Sequence, residues 1–147
     1  MERDPKNPNP SGNPGPGLTE LDSQLLLEAS ENCDPAACAR LLRQGAKVNA
    51  RDEDGCTPLL WAVLAAKHEA VKLFLDAGAE VNCKNHDGET PLHWVAVTGE
   101  QPIARLLLER GAKINAKDIF GITPTRSAFL NGDDEMVELF RQHGGAE

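Results

Sequence analysis

His93 stands in the tetrapeptide Thr90-Pro91-Leu92-His93, and Cys83 and His86 form a Cys-x-x-His pair with Cys56 upstream. A histidine on a helix beside a carboxylate can act as a general base. Cysteine and histidine at that local spacing are side chains that hold zinc. Neither start is completed in the chain. There is no Gly-rich phosphate loop, no Gly-x-Ser-x-Gly and no His-Glu-x-x-His to supply the remainder of an active site. With 23 acidic residues against 15 basic, a formal net charge of -8 and no basic stripe, the field of the chain repels nucleic acid as a direct ligand. Catalysis, a cofactor and a metal are therefore not expected.

The elements that would have to position these residues recur at a fixed interval of 33 residues. Thr-Pro stands at Thr57-Pro58, Thr90-Pro91 and Thr123-Pro124; Gly-Ala at Gly45-Ala46, Gly78-Ala79 and Gly111-Ala112, with Gly144-Gly145 in register; and Val48-Asn49, Val81-Asn82 and Ile114-Asn115 keep the same beat. Within the copy from Gly88 to Phe120, Thr90 can cap a helix that has Pro91 at its first position, and Gly99 stops it. A second helix starts near Pro102, shows Ile103, Leu106 and Leu107 on one side, and ends at Gly111. Helices this short, under about 12 residues, are not stable alone in water, so the copies must bury apolar surface against one another. Leu26, Leu59 and Leu92 share one position of the unit, and Leu41, Phe74, Leu107 and Phe140 another. Both positions are expected in the core.

A period of 33 carrying Thr-Pro-Leu-His-x-x-Ala resembles the ankyrin repeat, over roughly residues 22 to 147. The resemblance implies an all-α solenoid of stacked helix pairs with projecting β-hairpin fingers. It places repeats at about 22–54, 55–87, 88–120 and 121–147. It also makes His93 a structural residue that bonds the backbone of the adjoining loop. Leu60 and Arg126 occupy the same position elsewhere, so no catalytic set repeats. Fingers of such a stack lie about 10 Å apart, the spacing of packed helices, too far for Cys56 and Cys83 to share a metal. Cys83 moreover takes the place of Ala50 and Ala116, a site for any small side chain. In the linking run from Ala112 to Gly121, Asn115 is expected to bond local backbone and Gly121 to turn the hairpin.

Residues 1 to 18 hold Pro5, Pro8, Pro10, Pro14 and Pro16 without a periodic apolar set, and read as a disordered leader before a domain over 19–147. The first copy lacks Thr-Pro and carries Ser30 and Arg40 where inner copies are apolar. The last carries Arg141 and Thr125 where others have leucine. Both read as caps that turn a polar side to water. No apolar run approaches about 18 residues and no apolar h-region opens the chain, so neither a membrane span nor a secretory signal is expected. The four cysteines, at no framework spacing, read as reduced thiols of a cytoplasmic or nuclear protein.

Ankyrin stacks bind proteins through finger tips and the exposed side of the first helices, so the resemblance implies a non-enzymatic interaction module or adaptor, monomeric on its own. Carried over position by position, that surface comprises Glu53, Asp54, Cys56, Leu64 and Ala65, then His86, Asp87, Glu89, Val97 and Thr98, then Ile119, Phe120, Ile122 and Leu130. The first two fingers are acidic and the third apolar, which suits a partner with an apolar anchor and a basic segment. Trp61 and Trp94 share one position and serve either as core filler or as lining of the binding groove. Four copies match the size of the ankyrin-type inhibitors of cyclin-dependent kinases, which would make the chain an inhibitory or regulatory subunit. Those proteins shorten the first helix of their second repeat, whereas Thr57 to Ala66 is regular here. Finally, Asn49, Asn82 and Asn115 occupy the finger-loop position at which this family is hydroxylated, and Glu80-Val81-Asn82 fits the preferred context most closely.

Overall fold

The computed structural model describes residues 17–147, so the leader expected over residues 1 to 18 lies outside the described residues except for Gly17 and Leu18. The described residues form helices in consecutive pairs: α1 (Glu20–Glu31) with α2 (Pro35–Arg43), α3 (Pro58–Leu64) with α4 (His68–Asp76), α5 (Pro91–Thr98) with α6 (Gln101–Glu109), and α7 (Pro124–Leu130) with α8 (Asp134–Gln142). The start of each first helix is set by a capping threonine. The hydroxyls of Thr57, Thr90 and Thr123 accept the backbone N–H of Leu60, His93 and Arg126, and a proline follows where no N–H is needed. α1 is longer, 12 residues against 7 or 8, and has its own capping box, in which Thr19 and Asp22 bond each other's backbone N–H.

First helices stack in one row, α1 on α3 on α5 on α7, and α2, α4 and α6 follow in a second row. The two sets of equivalent residues named above meet between the rows: Leu26, Leu59 and Leu92, and Leu41, Phe74, Leu107 and Phe140, are all buried. Each contributes about 1.5 to 3 kcal/mol of burial that no isolated pair could obtain. None of the described helices is long and apolar enough to cross a membrane.

Ser30, Arg40 and Arg141 are exposed, as caps require. Thr125 is not: it is 0 % exposed, and its hydroxyl is a buried side-chain polar atom without a hydrogen bond. The cause is the chain that follows α8. Gly145 lies so close over α7 that a side-chain carbon there would collide with the Thr125 hydroxyl. The Thr123 hydroxyl donates to Ala146 O at 2.6 Å and holds this segment down.

Asn115 also bonds it, donating to Gly144 O at 3.1 Å and accepting from Ala146 N at 2.8 Å. Its partners are 29 and 31 residues away, so the expectation of a local bond is corrected. Asn82 bonds Gly111 O and Lys113 N in the same way, and Asn49 bonds Gly78 O and Glu80 N. Each asparagine ties its own loop to the next, a staple repeated at the period of the sequence. The expected β-hairpins are corrected as well. No strand forms among the described residues, because each finger is a tight five-residue turn with too little backbone pairing to make a ladder.

Candidate partner-binding face

The finger turns are built by one residue each: Asp52, Asn85 and Asp118. Asp52 Oδ1 accepts the N–H of Asp54 and Cys56, Asn85 Oδ1 those of Asp87 and Glu89, and Asp118 Oδ1 those of Phe120 and Ile122, all at 2.9 to 3.0 Å. A carboxylate or amide oxygen that holds two backbone donors fixes the turn without a strand partner. Single bonds from His86 N to Asp54 O and from Ile119 N to Asp87 O tie adjacent fingers together. The sequence reading missed this row; its spacing of 33 residues is the signal that could have found it.

These turns sort the expected binding residues into two groups. Glu53, Asp54, His86, Asp87, Ile119 and Phe120 are exposed at the tips, with Phe120 at 78 % and Ile119 at 61 %. The positions that close each turn are less exposed than the tips. Cys56 is buried, which removes it from the tip where the sequence placed it. Glu89 is half-buried and accepts from Asn85 Nδ2 at 3.0 Å, and Ile122 is half-buried with its carbonyl against His93.

On the first helices Leu64, Val97 and Leu130, equivalent in three copies, are all exposed. Ala65 is exposed beside them, while Thr98 is half-buried. Trp61 and Trp94 are half-buried, with rings packed edge to face at 5.8 Å, so each serves the core on one side and the surface on the other. Trp61 Nε1 donates to Asp52 Oδ2 at 2.9 Å. The counterpart of Asp52 beside Trp94 is Asn85, whose amide turns to Glu89 instead, so the two indoles are not held alike. Phe129, exposed and not singled out by the sequence, has the Arg126 guanidinium 5.1 Å from its ring centre.

The residues that invited chemistry are occupied otherwise. His93 Nδ1 accepts the backbone N–H of Thr90 at 3.1 Å, which leaves the ring proton on Nε2 to donate to Ile122 O at 2.7 Å. Both nitrogens are committed to backbone. All four cysteines are free and buried. Burial pushes the Cys33 and Cys56 thiols up to about 11 and Cys38 to about 12, and raises Cys83, whose sulfur lies 3.3 Å from the Thr57 hydroxyl. No group of three or more His, Cys, Asp or Glu side chains arranged to hold a metal ion occurs among the described residues.

One further row corrects the sequence reading, which found no basic stripe. Arg51, Lys84 and Lys117 are equivalent and exposed; Arg51 donates to Lys84 O at 2.7 Å and Lys84 to Lys117 O at 3.5 Å. Three cations spaced by the repeat are invisible as a run in sequence.

A family model for ankyrin repeats, in three copies, matches residues 26–118, well over half of the chain. The chain belongs to the ankyrin-repeat family. No curated protein matches it. Ankyrin repeats generally act as protein–protein interaction modules and are generally not enzymes. The matched residues run from α1 through the turn at Asp118, and the pair α7 and α8 packs on beyond them through α5. The exposed ankyrin fingers and first helices leave Leu64, Val97, Leu130, Ile119 and Phe120 as a set of apolar side chains that the stack itself does not bury.

Proposed function

We propose that this ankyrin-repeat chain is a non-enzymatic interaction module or adaptor, monomeric on its own and resident in cytosol or nucleus. It takes another protein on the face made by Glu53, Asp54, Trp61, Leu64, Asp87, Glu89, Trp94, Ile119, Phe120, Ile122 and Leu130. One observation carries the reading: Ile119 and Phe120, 61 % and 78 % exposed, stand at the last finger tip where the earlier fingers have Glu53 and Asp54 and then His86 and Asp87, and Leu130 on the following helix is 60 % exposed. Stacking has no use for that change, and contiguous apolar surface on a protein marks interaction sites. A buried phenylalanine adds roughly 1.5 to 3 kcal/mol, enough to anchor a complex of about micromolar affinity when neighbours contribute. The partner brings an apolar anchor for this end and a basic segment for the acidic fingers. Asn82 is proposed as a modification site on the same grounds as before; both polar atoms of its amide are engaged by the next loop, so access requires that loop to open.

Affinity capture with the intact chain and with Phe120→Ser tests the reading. The expected result is loss of the captured partner with stability changed by no more than about 0.5 kcal/mol, the range of surface substitutions. Unfolding of the last helix pair by Phe120→Ser would instead make the apolar end structural. Intact mass of the protein from its own cell, read for an added oxygen at Asn82, tests the modification.

A further inference from the structure

Three sets of equivalent positions cross this face, and two of them, one on the first helices and one at the finger tips, pass from charged to apolar side chains along the stack. On the first helices the set Glu31, Leu64, Val97 and Leu130 passes from a carboxylate to aliphatic side chains, all exposed. Beside it runs the set Glu28, Trp61, Trp94 and Ser127. At the tips Glu53 and Asp54 are followed by His86 and Asp87, and then by Ile119 and Phe120. Carboxylates thus concentrate toward one end of the stack and large exposed apolar side chains toward the other, although Leu27 and Leu64 are exposed over the first two repeats. Glu28, Glu31, Glu53, Asp54 and Asp87 gather over the first two repeats, and Val97, Ile119, Phe120 and Leu130 over the last two. Among the described residues the ion pairs involve Asp76 and Glu147 and none of those five carboxylates, while the cationic row of Arg51, Lys84 and Lys117, one beside each finger turn, runs through all three fingers alike. Arg126, beside Phe129, adds a cation at the apolar end, where it repels a second one.

Resting on the interaction face proposed above, we infer that the partner segment is divided in the same way and binds in one axial order. Its lysine and arginine side chains lie over the first two repeats, and its apolar side chains lie over the last two. Unpaired carboxylates of one sign attract cations over a distance set by the salt concentration, whereas apolar contact is insensitive to salt in that range. The opposite order places cations against Arg126 and apolar groups against carboxylates, and loses on both counts. The gradient therefore discriminates between orientations as well as between partners.

The test uses the full chain and a synthetic peptide with Lys and Arg at one end and Leu and Phe at the other. Binding is followed by the fluorescence of Trp61 and Trp94, the two tryptophans of the chain. A photo-crosslinker at the cationic end of the peptide is expected to label α1 or the first two fingers, and one at the apolar end the third finger or α7. Glu53→Lys with Asp54→Lys and Asp87→Lys should weaken binding about tenfold or more at low salt and little at high salt. Phe120→Ser with Leu130→Ser should weaken it at both. Crosslinks in exchanged or evenly spread positions overturn the axial order. If charge reversal leaves low-salt binding intact while Phe120→Ser with Leu130→Ser abolishes it, the face stands and the divided partner is wrong. If there is no saturable binding at low salt, or neither set of substitutions alters it, the face fails with it.

Discussion

Asp22 occupies the position that is glycine in the other copies, Gly55, Gly88 and Gly121. It is fully buried, and it accepts from Thr19 N at 3.0 Å and from Lys47 N at 2.7 Å. Burial alone would raise its pKa. The N–H donors of Thr19 and Lys47 and the Thr19 hydroxyl oppose this and win, so the group titrates below its ordinary 3.8. A depressed folded pKa means that the carboxylate stabilises the fold fully above the unfolded value and loses that contribution as pH falls through the folded one. Asp22→Asn puts an amide N–H where an acceptor is needed and should cost about 1 to 3 kcal/mol at neutral pH. The deficit should shrink as the pH is taken below about 3.8. Denaturant unfolding of both proteins across that range checks it; a deficit independent of pH would mean that packing, not charge, explains the loss.

The finger turn is the element on which the proposed face depends, and its geometry leaves one position without freedom. Gly88 has φ +74°, and a side-chain carbon there would lie 3.0 Å from Ile119 N and 3.1 Å from Asp118 Cα, both backbone of the next finger. Neither can give way without moving the turn that carries Phe120. Gly88→Ala should therefore cost about 1 to 3 kcal/mol and shift the amide resonances of residues 118 to 122. At the ends of the first helices the reverse holds. Ala66 sits at φ +57° where later copies have Gly99 and Gly132, and Cys33 shares the strain at φ +49°. Ala66→Gly relieves a left-handed alanine, worth about 1 to 2 kcal/mol, against about 0.4 to 1 kcal/mol of added chain entropy when unfolded. A small net rise in the midpoint of thermal unfolding is expected, and a fall would show that Ala66 packing outweighs its backbone strain.

At the scale of the whole molecule, stability is the sum of contacts between neighbouring pairs, so an inner residue answers to both sides of the stack. Leu107 is fully buried and Leu130 is 60 % exposed. Leu107→Ala should cost about 2 to 5 kcal/mol, a large part of a typical total of about 5 to 15, while Leu130→Ala should stay within about 0.5. Chemical unfolding measures both. Equal losses would place Leu130 in the core and remove it from the proposed face.

The sequence alone determined the unit, its period and its core, because stacking demands the same apolar residue at the same place in each copy and that demand is written in Leu59, Leu92, Phe74 and Leu107. Thr-Pro and Gly-Ala marked where helices begin and end for equally local reasons. What the sequence could not decide depends on which copy lies beside which. Thr125 reads as a polar cap residue until Gly145 is seen to fold over it, and Asn115 reads as a local loop residue until Gly144 and Ala146 arrive from the next turn of the stack. Cys56 and Phe120 were both assigned to finger tips, yet the two bonds to each Asp52-type oxygen turn one inward and leave the other in water. Arg51, Lys84 and Lys117 form a row only when residues 33 apart become neighbours. Period and burial follow from residue types, but exposure, pairing and the layout of charge along the face follow from the contacts that stacking creates.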